Sequence, residues 1–447
     1  MTRVLIVSHD VVGERMAGPA IRAVELARVL AQSYEVTLAV PNECALDLGV
    51  QTTRYRPTDL ESLVSGYDAA LVGGLTLALC PGLAQLGVPL VVDIYDPFTL
   101  ENLQLFSGRD MPTRLQDSEG LLNALLLQLR FGDFYLCASE KQRDFWLGML
   151  HAVGRLNPYT YDADRSLRGL VDVVPFGVPA DAPQVQERAL KGVYPGIGPE
   201  DLVVIWGGGI YDWFDPLTAI RGVALAASRD PRIKLFFMGV KHPNPAVHRM
   251  GMVDESIRLA DSLGLTGNSV FFNDWVPYAR RADYLLDADV GVSLHLDHIE
   301  TAYSFRTRIL DYLWAGLPIL ATSGDSLAST IEQRGIGVVV PPEDPEAVAQ
   351  ALLTLSDERT REAMGDQARA TAQELTWNRC AAPLVKFCAH PALAPDRQVG
   401  YSPTRPGADR PRAGLGPVRK VAASLRQGGP AQLARDVRAY IAWRLGR

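Results

Sequence analysis

Short apolar runs recur along this chain with helical stretches between them, and that alternation restricts the fold more than any other feature. Residues 4–8 form such a run and a polar loop follows. Residues 20–31 then place Ile21, Val24, Leu26 and Leu30 at helical spacing. Further runs lie at 35–40, 69–72, 90–93, 134–138 and 171–175, separated by segments long enough for crossover connections. A parallel sheet with helices on both faces is expected. A polar stretch with Pro and Gly at 179–199 breaks the pattern, after which a second series begins: 202–206, 234–238, 270–272, 290–293, 318–321 and 337–340. Helical patterns at 216–228, 255–263 and 307–315 separate these runs. The chain therefore predicts two Rossmann-like α/β domains in tandem.

Length agrees, since 447 residues exceed what one hydrophobic core usually serves. The net charge of −7 argues against wholesale nucleic-acid binding, because neutralising phosphates needs a surplus of Lys and Arg. Five scattered cysteines (Cys44, Cys80, Cys137, Cys380, Cys388) contain no C-x-x-C pair, so reduced thiols are expected rather than disulfides or a zinc site. The N-terminus runs straight into a strand pattern, without the charged and apolar regions of a signal peptide. No apolar run reaches the roughly 18–20 residues that span a bilayer. The expected location is the cytoplasm, with any membrane met from one side.

Three segments carry candidate chemistry. The loop at 9–19 contains Gly13 and Gly18 and then opens a helix. Its glycines let backbone N–H groups approach an anion, although a tight turn would use them equally. Trp206-Gly207-Gly208-Gly209 closes the first strand of the second series, where an open α/β sheet binds ligands. Gly208 and Gly209 permit close backbone approach there, and the aromatics Tyr211, Trp213 and Phe214 lie just beyond. The third segment runs from Glu300 through Tyr303, Ser304, Phe305, Arg306, Thr307 and Arg308 to Asp311. A small-residue loop leads into a helix whose start carries two arginines. Cations there oppose the helix dipole unless an anion sits between them, and Arg suits bidentate phosphate recognition. An exposed helix face is the alternative.

These residues resemble a family. The segments Val173-Val174-Pro175-Phe176-Gly177-Val178, Asn273-Asp274-Trp275-Val276-Pro277, Ala288-Asp289-Val290 and Ala315-Gly316-Leu317-Pro318-Ile319-Leu320-Ala321-Thr322 are similar to those of family-4 (group 1) glycosyltransferases, which have the GT-B fold of two facing Rossmann domains. Leu375-Thr376-Trp377 resembles the start of the helix that crosses back to the first domain. The resemblance covers roughly residues 1–390 and implies an acceptor-side domain at 1–185, a donor domain at 186–375 and the crossing helix at 376–390. It implies transfer of a sugar from a nucleotide-diphosphate donor to a lipid-linked or polysaccharide acceptor by a retaining, hexosyltransferase-like enzyme, with no cofactor and no metal. Base recognition would fall to Trp275 and Val276. Of the family's two glutamates seven residues apart, the second position is Asp311, which keeps a carboxylate for the donor ribose. The first falls on Tyr303, with Glu300 three residues earlier as the alternative. The family's Arg and Lys after the 206–209 strand are absent, so Arg306 and Arg308 would supply the phosphate charge. Asp96 stands where the family places an acid near the transferred sugar, and helix capping is its other reading. The departures leave two alternatives to transfer: a catalytically degenerate GT-B subunit partnering an active enzyme, and a sugar-nucleotide epimerase.

Residues 391–447 read as a Pro-rich linker and a basic tail with helical patterns at 417–425 and 430–445. Eleven Lys or Arg face three Asp there, a balance of +8 that leaves −15 for the rest of the chain. A cationic amphipathic helix suits an anionic membrane surface, and docking on the acidic body is the alternative.

Overall fold

The computed structural model describes residues 1–401 except 246, 248 and 249. The tail helices expected at 417–425 and 430–445 lie outside the described residues.

The first sheet holds seven strands: β1 (Arg3–Val7), β2 (Glu35–Val40), β3 (Gln51–Arg54), β4 (Ala69–Gly73), β5 (Leu90–Asp93), β6 (Phe134–Cys137) and β7 (Val171–Val173). Their order is β3-β2-β1-β4-β5-β6-β7, and every pairing is parallel. The second sheet holds β8 (Leu202–Gly209), β9 (Ile233–Gly239), β10 (Val270–Phe272), β11 (Val290–Ser293), β12 (Ile319–Thr322) and β13 (Gly337–Val340), ordered β10-β9-β8-β11-β12-β13 and again parallel throughout. Strands buried on both faces read as continuous apolar runs, which is why twelve of the thirteen were visible in the sequence. The exception is β3, whose Gln-Thr-Thr-Arg sequence is polar because it pairs only with β2 at the sheet edge.

In each sheet the strand order reverses once, between β1 and β4 and between β8 and β11. An open α/β sheet leaves a crevice at such a switch point, beyond the carboxyl ends of the strands. The loops after β1 and β8 are the two glycine-bearing segments of the sequence.

The Thr307–Ala315 helix is locked below the second crevice by Tyr312, which is fully buried. Its hydroxyl accepts from the Gly207 amide at 2.7 Å and donates to the Val292 carbonyl at 2.8 Å. A Cβ on Gly291 would lie 2.3 Å from the Tyr312 ring, so that glycine is a packing requirement. Gly316 then ends the helix in the left-handed region at φ 70°.

Beyond β13 the chain returns to the first domain. The Trp377 amide donates to the Val178 carbonyl at 3.0 Å, Tyr34 donates to the Val385 carbonyl at 2.8 Å, and Phe387 stacks on Phe134. The first ten residues of the expected linker differ from expectation, because they are packed. Asp396 is buried against Arg155 at 2.8 Å, and the Ala394 amide donates to Asp133 at 2.7 Å. Arg397 also pairs with Asp133. A buried arginine needs a counter-charge, and Asp396 supplies it across 241 positions of sequence.

Candidate functional site

One cleft of about 270 Å³ lies between the two crevices and is lined from both domains. The first contributes Gly18, Tyr95, Asp96 and Glu101, and the second contributes Gly208, Gly209, Trp275, Ser304, Phe305, Arg306, Thr307, Arg308 and Asp311. Most of the residues singled out in the sequence therefore meet at one place. Gly13, Val276 and Tyr303 do not. Val276 is buried in the core. Tyr303 turns its ring onto Phe145, 4.8 Å between centroids, with the Lys141 ammonium 5.6 Å from the Tyr303 ring centre. Glu300 does line the cleft, on the short Ile299–Tyr303 helix, while Tyr303 packs on the first domain.

The three glycines after Trp206 have three different causes. Gly207 lies under the Tyr312 ring, and Gly208 is exposed at φ 72°. A Cβ on Gly209 would sit 3.1 Å from Tyr211 and 3.3 Å from Trp275. Gly208 alone presents open backbone to the cleft, in a conformation that glycine adopts without strain.

The two arginines at the helix start are not equivalent. Arg306 makes a bidentate pair with Glu300 at 2.8 and 2.7 Å, both residues being buried. Arg308 has no carboxylate partner among the described residues. It lies over the rings of Phe214 and Trp206, 4.2 and 4.6 Å from their centres, and donates to the Gly209 carbonyl at 3.0 Å. Its Nη1 is buried without a hydrogen-bond partner. Burial, with Arg306 adding to it, pushes the Arg308 guanidinium down to about 10, so it stays charged at neutral pH but at a cost. A buried guanidinium with a free donor beside a helix N-terminus is a site for an anion.

Across the cleft, Asp96 and Glu101 share a hydrogen bond between carboxyl groups. Burial raises both above the ordinary carboxylate range, and Glu101 further. Asp93, by contrast, is held by Arg22 at 2.6 Å. Asp311 accepts from Arg281 at 3.2 Å and keeps its other oxygen available, its side chain being 38% exposed. Glu101 was not legible in the sequence: an acid in the first turn of a helix ordinarily answers the helix dipole, and only the fold places it against Asp96.

Two facing doubly wound domains, with a cationic pocket at one switch point and paired carboxyls at the other, are the arrangement of the GT-B fold, and the similarities of the chain are to nucleotide-sugar-dependent glycosyltransferases. The description "Glycosyl transferases group 1" matches residues 204–358. D-inositol 3-phosphate glycosyltransferase of Paenarthrobacter aurescens (strain TC1) is 26% identical over 330 residues, 72% of this chain and 71% of that protein. For six further proteins of that name the match spans 42–52% of their length. Among solved structures, sucrose-phosphate synthase from Thermosynechococcus elongatus superposes with a TM-score of 0.63 at 16% identity, covering 87% of this chain and 98% of that one. Anabaena HepE in complex with UDP-glucose gives 0.62 at 15% identity, covering 87% and 100%. Residues 204–358 are thus similar to group 1 glycosyltransferases, and the chain is distantly similar to the inositol phosphate enzymes.

Proposed function

We propose that the protein transfers a hexosyl group from a nucleoside-diphosphate sugar to a hydroxyl of a lipid-linked or polysaccharide intermediate, with retention at the anomeric carbon and without a metal. The observation that carries this reading is Arg308, a buried cation left without a counter-charge beside Gly208 and the helix start. The diphosphate would neutralise it, the ribose would meet Asp311, and the base would lie by Trp275. The acceptor oxygen bonds to the anomeric carbon while that carbon's bond to the diphosphate oxygen breaks. The hydroxyl proton leaves with the departing diphosphate, whose added charge Arg308 stabilises. HepE is described in complex with UDP-glucose, so UDP-linked sugars are the first donors to test.

Calorimetry with UDP and UDP-glucose is expected to show binding that persists in EDTA. Asp311→Ala should weaken it about tenfold to a hundredfold, since a hydrogen bond to a charged group contributes roughly 1.5–3 kcal/mol. Indifference to UDP, GDP and ADP alike would reject the donor reading. Unchanged affinity in Asp311→Ala would remove that residue from the ribose.

The +8 balance of the C-terminal 57 residues supports a peripheral position on an anionic membrane face. Deleting residues 402–447 should abolish sedimentation with phosphatidylserine vesicles at low salt and leave UDP binding intact. Deleting from Pro391 should in addition lower thermal stability, because Arg155 loses Asp396 and a broken buried pair costs about 3–5 kcal/mol. Sedimentation of the 402–447 deletion at the full-length level would reject the tail as the anchor.

A further inference from the structure

A second cavity, of about 600 Å³, opens beside the donor cleft on the first domain, and the two share Pro19, Tyr95 and Asp96 in their walls. Its wall is largely carbon, supplied by Leu60, Leu71, Leu79, Phe98, Leu105 and Leu121. Its polar lining includes Asp96, which it shares with the donor cleft, and His9, whose ring lies so close over Gly74 that a Cβ on that glycine would come within 2.7 Å of it.

Two further features fix the chemistry of an occupant. No Lys or Arg lines the cavity among the described residues, and the Asp93 that does is already paired with Arg22. An anionic ligand would find no free guanidinium or ammonium there to neutralise it. The mouth is also apolar: Leu75 and Leu79 line the cavity yet are 41% and 67% exposed. Apolar side chains concentrated at a cavity mouth mark a place where apolar material is bound.

We infer that this cavity is the acceptor subsite and that it takes an uncharged acceptor, whose hydroxyl reaches Asp96 and His9 while an apolar chain or ring fills the leucine-lined end. The inference rests on the transferase reading above and adds the acceptor's class. It separates this protein from the inositol phosphate enzymes, whose name gives a phosphorylated acceptor. The volume falls within the range of about 300–1,000 Å³ that accommodates small ligands.

The test uses the full chain, n-octyl β-D-glucopyranoside below its micellar concentration, and D-inositol 3-phosphate, with UDP titrated separately. Saturable binding of one octyl glucoside is expected, with none for D-inositol 3-phosphate. Leu75→Asp/Leu79→Asp should weaken octyl glucoside binding at least tenfold and leave UDP affinity unchanged, and Leu79→Met should behave as the wild type. Leu79→Trp, a bulky change at an exposed position, should also weaken octyl glucoside binding and serves should the double variant misfold. Indifference to octyl glucoside, preference for D-inositol 3-phosphate, or undiminished octyl glucoside binding in folded variants would each overturn the assignment. Failure of the wild type to bind UDP would count against the donor reading alone, because octyl glucoside binding still reads the cavity.

Discussion

Arg308→Met is expected to lower kcat/KM about 10²–10³-fold, the loss seen when one preorganised charge stabiliser is removed from a transition state, while leaving the unliganded protein as stable as before or more so. Both parts follow from one arrangement. In the free protein the Arg308 guanidinium is buried between Phe214 and Trp206 with an unpaired Nη1, so its charge costs stability that no carboxylate returns. Met keeps much of the volume and removes the charge, which in buried sites is often neutral or stabilising. When donor binds and its bond to the sugar breaks, the diphosphate gains negative charge, and the missing guanidinium is felt most at that point. The loss should therefore fall on kcat as well as on KM. Arg308→Lys keeps the charge but not the planar stack on two rings, and intermediate activity is expected. Steady-state kinetics with UDP-glucose, beside a thermal midpoint without ligand, checks both. Full activity in Arg308→Met would remove this arginine from the diphosphate site, and lower stability with full activity would make it a packing residue.

How far the sequence disclosed this arrangement depended on the kind of interaction involved. The strands were legible because a parallel sheet covered on both faces demands continuous apolar runs, as at β5 and β10. The polar edge strand β3 carried no such signal, since one of its sides pairs with nothing. The site was legible where it lies on one contiguous segment: Ser304 to Asp311 does line the cleft. The roles within that segment were not, because what a charged side chain does depends on which partner the fold brings to it. Arg306 and Arg308 look alike in the sequence, yet Glu300 occupies one and leaves the other free. Likewise Glu101 becomes a hydrogen-bond partner of Asp96 only when the fold brings the two carboxyl groups together. Residues 391–400 read as linker from composition, and the two buried charges that pin them, Arg155 and Asp133, lie more than 230 positions away.

Breaking the Glu300–Arg306 pair should produce the largest loss of stability of any change at the site, and restoring neutrality should recover that stability without recovering turnover. Glu300→Gln leaves the Arg306 guanidinium buried beside an uncharged amide. Removing one partner of a buried ion pair typically costs about 3–5 kcal/mol, because the remaining charge stays in a medium that solvates it poorly. Replacing both residues by apolar side chains of similar volume, Glu300→Leu with Arg306→Met, removes the two charges together and should return the thermal midpoint close to that of the wild type. Activity follows a different rule. Glu300 lines the cleft with Asp96 and Glu101, and although both of its oxygens accept from Arg306, each keeps a further lone pair for a sugar hydroxyl. Leucine offers none. The double variant is therefore expected to be stable, to bind UDP through Arg308 and Asp311, and to turn over UDP-glucose poorly. Thermal denaturation of the two single variants and the double variant, followed by kinetics on the stable ones, closes the cycle. Turnover that returned with stability would make the pair a brace for the helix start and nothing more. Turnover that stayed low in a stable protein would place Glu300 at the sugar, in the position that the resemblance gave to Tyr303.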